Sequence, residues 1–207
     1  MLSYFKNHTG FTILELIISI AIVTVILTVV VLNQSTYTDG IAITNLADEI
    51  SLTISQAQVY GVGVKEFSSG SSEFSASYGL SFSLLASGSN SAYIYFADRN
   101  GDGVYNGDWA CPIGGTSECL EKGNISRGNY IDSLCAVVTS GPDQCVTPKR
   151  IDISFSRPNT KAQIIFFNSA GASFLVAGMK GAKIILKSPK GSTRSVTVYE
   201  TGQISVQ

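Results

Sequence analysis

One stretch decides most of what this chain can become. From Leu16 to Leu32 only Ser19, Thr24 and Thr28 interrupt a run of apolar residues. As a helix rising 1.5 Å per residue, Phe11 to Leu32 would span roughly 30 Å, the thickness of a bilayer's hydrocarbon core. Ile and Val dominate the run, and in water they are poor helix formers. Lipid removes that objection, because a backbone without water must satisfy its own hydrogen bonds. Thr24 and Thr28 lie four residues apart and share one face, where small side chains let helices approach closely. The run is expected to be a single membrane-spanning helix over residues 11–32.

A carboxylate stands just inside its leading edge. Glu15 would cost roughly 2.5–3.5 kcal/mol at the centre of a membrane helix, and less near an interface. An ordinary secretory signal has a shorter apolar core followed by a small-residue cleavage site. Here Asn33-Gln34-Ser35 follows instead, so any cleavage must precede the run. Gly10 is the residue there that suits close approach by a peptidase. Lys6 favours a cytoplasmic N-terminus.

The stretch "GFTILELI" resembles the class III signal of type IV pilins and pseudopilins, whose usual form is Gly-Phe-Thr-Leu-(Ile/Leu)-Glu. Gly10, Phe11 and Glu15 carry the match, and Ile13 and Leu14 only exchange equivalent aliphatics. The resemblance implies a leader over residues 1–10, cut after Gly10 by a prepilin peptidase, and N-methylation of the new terminus at Phe11. It also implies a role for Glu15 in assembly, as partner to the amine of Phe11 in its own or the adjacent subunit. A desolvated charge is tolerable when paired and penalised when alone. The carboxylate would then check the register of docking.

Beyond the span, Ile43, Leu46, Ile50, Ile54 and Ala57 recur at three- and four-residue intervals, with Asn45, Asp48, Glu49 and Gln56 on the other side. This predicts an amphipathic continuation over residues 33–60, ending near Gly61, with Asp39-Gly40 as the place where it could bend or break. No proline precedes Pro112, so no proline kink is expected. From residue 61 to 207 the period changes. "YGLSFSL", "SAYIYFA", "RIDISFS", "AQIIFF", "AKIILK", "RSVTVYE" and "QISVQ" are short β-branched or aromatic runs separated by Gly, Ser, Asn and Pro clusters. Ile151, Ile153 and Phe155 alternate cleanly toward one face. One helix followed by strands predicts an α+β fold, with a long N-terminal helix packed on an antiparallel sheet. That is also the pilin architecture, and the segment "SFSRPNTKAQIIF" and the ending "KSPKGSTRSVTVYETGQISVQ" resemble the heads of GspH/FimT-type pseudopilins and minor pilins. Residues 105–150 stand outside the resemblance as an insertion.

All four cysteines fall in that insertion: Cys111, Cys119, Cys135 and Cys145. Neither pair has Cys-x-x-Cys spacing, and the single histidine, His8, is far away in the leader. Beyond a membrane segment, an even count reads as disulfides in an oxidising compartment, with buried free thiols as the alternative. Three connectivities are open. The local one, Cys111–Cys119 and Cys135–Cys145, is favoured because each bond closes a short turn-rich loop.

Two loops offer ligand chemistry. In "DRNGDGVYNGD" Asp98, Asn100 and Asp102 alternate before Gly103, and Val104 could add its carbonyl, with Asp108 or Asn106 completing a calcium shell. Position twelve of that loop is Trp109, not a bidentate glutamate. The same residues read equally as an Asx- and Gly-rich turn between strands. In "KSPKGSTR" Lys187, Lys190 and Arg194 gather around a turn, as DNA-contacting residues or as ordinary hairpin surface. A net charge of -1 argues against a dedicated nucleic-acid binder. The head has no histidine, no Gly-x-Ser-x-Gly elbow and no phosphate loop, which points away from an enzyme. The expected protein is a filament subunit of the pilin or pseudopilin kind, anchored once in the cytoplasmic membrane with its head outside. Its partners would be other subunits, with a tip adhesin, a DNA-binding minor pilin and a major pilin as rivals.

Overall fold

The computed structural model describes residues 10–63, 65–66, 76–112 and 117–207. Leader residues 1–9, with Lys6 and His8, lie outside the described residues. The chain forms one α-helix, α1 (Ile13–Val62), followed by ten strands. It divides into two compact units, Met1–Thr38 and Asp39–Gln207.

In the first unit α1 is apolar on every side. Leu14, Ile17, Ile22, Val25 and Val31 are all more than half exposed, and no residue of the Ile13–Val31 stretch is buried. A helix apolar all round needs an apolar surround. The three hydroxyls of the Ile13–Val31 stretch are satisfied within the helix: Ser19, Thr24 and Thr28 each donate to the carbonyl four residues back, at 2.8 Å. That back-bonding leaves no unpaired donor to face hydrocarbon.

In the second unit the helical stripe behaves as its spacing predicts. Ile43, Leu46, Ile50, Ile54 and Ala57 are buried, joined by Ala47, while Asn45, Asp48, Glu49 and Gln56 are exposed. Helical structure continues through Asp39-Gly40. Gly61 lies inside the last turn and is needed for another reason. A Cβ there would come within 2.2 Å of the Phe155 carbonyl oxygen, so glycine permits the helix end to touch the sheet backbone.

The strands are β1 (Ser77–Ser83), β2 (Ser89–Asp98), β3 (Cys119–Asn124), β4 (Tyr130–Val138), β5 (Arg150–Phe155), β6 (Ala162–Phe167), β7 (Ser173–Phe174), β8 (Met179–Lys187), β9 (Thr193–Tyr199) and β10 (Ile204–Val206). The seven runs read from sequence correspond to β1, β2, β5, β6, β8, β9 and β10. They do not build one sheet. A six-stranded sheet runs β3-β2-β1-β5-β6-β7 and a four-stranded sheet runs β10-β9-β8-β4, with antiparallel pairing throughout. The fold is α+β, and helix and both sheets share one apolar core.

The segment 105–150, read as an insertion, contributes a strand to each sheet. β3 forms an edge of the first sheet, and β4 pairs with β8 along nearly its whole length. The disulfides follow the local pairing, Cys111–Cys119 and Cys135–Cys145. The second ties β4 to the loop after it, which Lys183 of β8 also holds through the Asp143 carboxylate.

Candidate processing and assembly site

The residues singled out at the start of the chain are solvent-facing. Gly10 is exposed, with open space where a side chain would stand, and Phe11 is 76 % exposed. The helix starts two residues later, and its first turn is capped. Thr12 Oγ1 accepts the Glu15 N–H at 3.2 Å, while the Thr12 carbonyl accepts the Leu16 N–H. Thr12 is thus the N-cap and Glu15 the third helical residue, the spacing of a capping box. A carboxylate in the first turn also meets the positive end of the helix dipole. Glu15 therefore has a local reason to stand where it does, beside the assembly role implied by resemblance. The Thr-x-x-Glu pattern ahead of an apolar run was the signal for it.

The loop read as a calcium candidate is built from backbone captures. Asp98, buried at the end of β2, accepts the N–H groups of Gly101 at 2.7 Å and Gly103 at 2.8 Å. Asn100 Oδ1 accepts the Asp102 N–H, and Asp102 accepts the Val104 N–H at 2.8 Å together with the side-chain amides of Asn100 and Asn106. Asp108 accepts the Ala110 N–H, in an Asx turn of its own. Among the described residues, no three His, Cys, Asp or Glu side chains are grouped so as to hold a metal ion.

Two carboxylates that sequence reading passed over fasten this loop. Glu118, just before β3, accepts the Asn106 N–H at 2.8 Å and the Arg99 N–H at 3.4 Å. Burial pushes the Glu118 carboxyl above its ordinary range, and the charges of Asp98 and Asp102 push the same way against those two donors. For Asp102, burial acts upward, but the Asn106, Val104 and Asn100 donors outweigh it and hold the carboxyl low. Asp152 of β5 is fully buried and takes the Ser81 hydroxyl, the Arg150 guanidinium and the Tyr105 N–H. Below the loop lies a small second core of Ile94, Phe96, Tyr105, Trp109 and Cys119. These partners come from distant strands, so no local pattern announced them.

The three cations of the β8–β9 hairpin do not form one patch. Leu186 and Arg194 are cross-strand neighbours, so Arg194 shares the helix-facing side and donates to Thr44 Oγ1 at 3.2 Å. Lys187, the next residue, points the other way and lies 3.7 Å from Asp132. Lys190 sits in the turn between them.

Comparison with known proteins finds one family model, the prokaryotic N-terminal methylation motif, matching residues 5–31. No curated protein and no solved structure matches the chain. The matched residues take in Gly10, Phe11, the capped Glu15 and an apolar helix fit to anchor in a membrane. The chain therefore begins with a type IV pilin-like prepilin signal.

Proposed function

We propose that this protein is a structural subunit of a type IV pilus, type II secretion or DNA-uptake filament, acting as a minor pilin or pseudopilin. A prepilin peptidase cuts after Gly10 and Phe11 is N-methylated. The apolar half of α1 then leaves lipid for a filament core of like helices, where Glu15 meets a Phe11 amine. The observation that carries this is the methylation motif set on a helix that is apolar all round and continues into an α+β head. Mass spectrometry of the mature N-terminus is the test. A methylated Phe11 is expected, and an intact Met1 or an unmethylated Phe11 overturns the reading.

A second reading concerns the loop from Asp98 to Asp108. Burial is the main cause that raises Glu118 and the Asp98 and Asp102 charges add to it; that neighbouring negative charge supports a divalent cation there, with calcium the candidate. Asp98, Asn100, Asp102, Asp108 and the Val104 carbonyl are the available oxygens, and several would first have to release the N–H groups they now hold. Calorimetry of the protein with calcium decides it: absence of heat together with an unmoved melting temperature removes the site.

A further inference from the structure

One end of the head gathers basic residues that the sequence keeps far apart. At this end α1 enters the second unit: the Ser188 hydroxyl donates to the Asp39 carboxylate, and Arg194 reaches Thr44. The β3–β4 turn arrives beside the β8–β9 turn, since a Cβ on Gly128 would lie 2.9 Å from Pro189 Cγ. Arg127 and Lys190 are exposed on these two turns and Arg194 is exposed beside them, while Lys187 faces away toward Asp132 and the Asp39 carboxylate takes the Ser188 hydroxyl.

Arg127 occupies a costly conformation. Its φ is 60°, that of Gly128 is 72°, and the Asn129 N–H closes on the Ser126 carbonyl at 3.2 Å. This is a turn with positive φ at both central residues, a place for Asn, Asp or Gly. An arginine there is sterically disfavoured, and its exposed side chain fills no core.

We propose that these two turns form a contact surface for anionic phospholipid headgroups, seating the head on the membrane before assembly. The inference rests on the anchored reading above. The apolar stretch ends at Val31 and the head begins at Asp39. From Val31 to Asp39 the chain covers at most about 30 Å fully extended and about 12 Å as helix. The turns beside Asp39 are therefore held within reach of the membrane surface. No Lys or Arg occurs in residues 32–64, so the chain carries no cation close after the span. The fold supplies these cations later, and they do not oppose the charge signal that orients insertion. Each basic residue near an anionic surface strengthens the contact by about fivefold, within a Debye length.

The test uses the full chain, reconstituted into vesicles of phosphatidylcholine alone or mixed with phosphatidylglycerol. Flotation is followed by acylation of Lys190 with a membrane-impermeant reagent. The protein floats with both, and Lys190 reacts about fivefold more slowly on the anionic vesicles. High salt closes the gap, and Arg127→Gly, which relieves the turn, narrows it. Equal rates on both lipids overturn the proposal. So does protection by duplex DNA on neutral vesicles without protection by phosphatidylglycerol, which assigns the surface to nucleic acid. A chain that fails to float breaks the anchored reading and this inference with it.

Discussion

The two halves of α1 have the same backbone and opposite reasons for it. Up to Val31 apolar side chains point in every direction and none is buried. Beyond Asp39 one stripe of five predicted residues is buried, and the exposed face is polar apart from Ile41, Leu52 and Val59. In the first half the helix answers to its solvent, since hydrocarbon penalises any unpaired backbone group. In the second it answers to a neighbour, because packing an amphipathic face supplies most helical stability in water. Mutations should therefore be felt in different currencies on either side of residue 38.

The sharpest test of that contrast is a matched pair. Ile50→Ala removes a fully buried side chain and is expected to destabilise the head by about 3 kcal/mol. For a unit of this size that lowers the melting temperature by roughly 10 °C. Ile22→Ala, in the exposed half, should leave the melting temperature unchanged. Equal losses in thermal unfolding of the detergent-solubilised protein would dissolve the contrast. Next comes the Cys135–Cys145 bond, which belongs to the head alone. Replacing both residues with serine should cost about 2.5 kcal/mol through the freed loop, with vesicle flotation unaltered. Flotation lost together with stability would mean that anchoring depends on the folded head.

Two smaller effects sharpen the first half. Thr12→Ala removes the N-cap and should weaken the start of the helix by about 1 kcal/mol, seen as faster hydrogen exchange at residues 13–16. Glu15→Ala should likewise leave membrane insertion intact and impair incorporation into filaments; normal incorporation would reduce Glu15 to its role in the first turn. The smallest effect is a pH dependence in the head. Glu118 binds its proton more tightly when folded, so the folded state holds more protons between the unfolded and folded pKa. Stability should fall as pH rises from the ordinary glutamate range through that raised value. Glu118→Gln should flatten this slope in denaturation series run across that interval.

Much of this fold was legible from local pattern. The apolar run declares a membrane-fit helix through its length, and the stripe from Ile43 to Ala57 and the alternation of Ile151, Ile153 and Phe155 each declare a buried side through their period. The short cysteine loops favoured, among three open connectivities, the local pairing that the fold adopts. The insertion over residues 105–150 did not declare its role. β3 reads "CLEKGN" and β4 reads "YIDSLCAVV", with charges, a glycine and register shifts that blur the alternation. Their assignment as strands depends on partners, β2 and β8, that no local window contains. Asp98 reads as a metal-ligand candidate by spacing, and its capture of the Gly101 and Gly103 N–H groups is a detail that spacing does not show.

What the sequence determined alone is the processing signal, the helix and seven of the ten strands, because cleavage motifs, capping and hydrophobic period act over a few residues. What only the tertiary structure decided is how strands divide between two sheets, which carboxylates hold the loop, and which cations meet. Lys187 and Arg194 flank one hairpin turn yet face opposite sides of the strand pair. Arg127 and Lys190 are distant in sequence yet sit on turns that touch. Side-chain direction alternates with every residue, and contact between distant turns is set by the packing of the whole core.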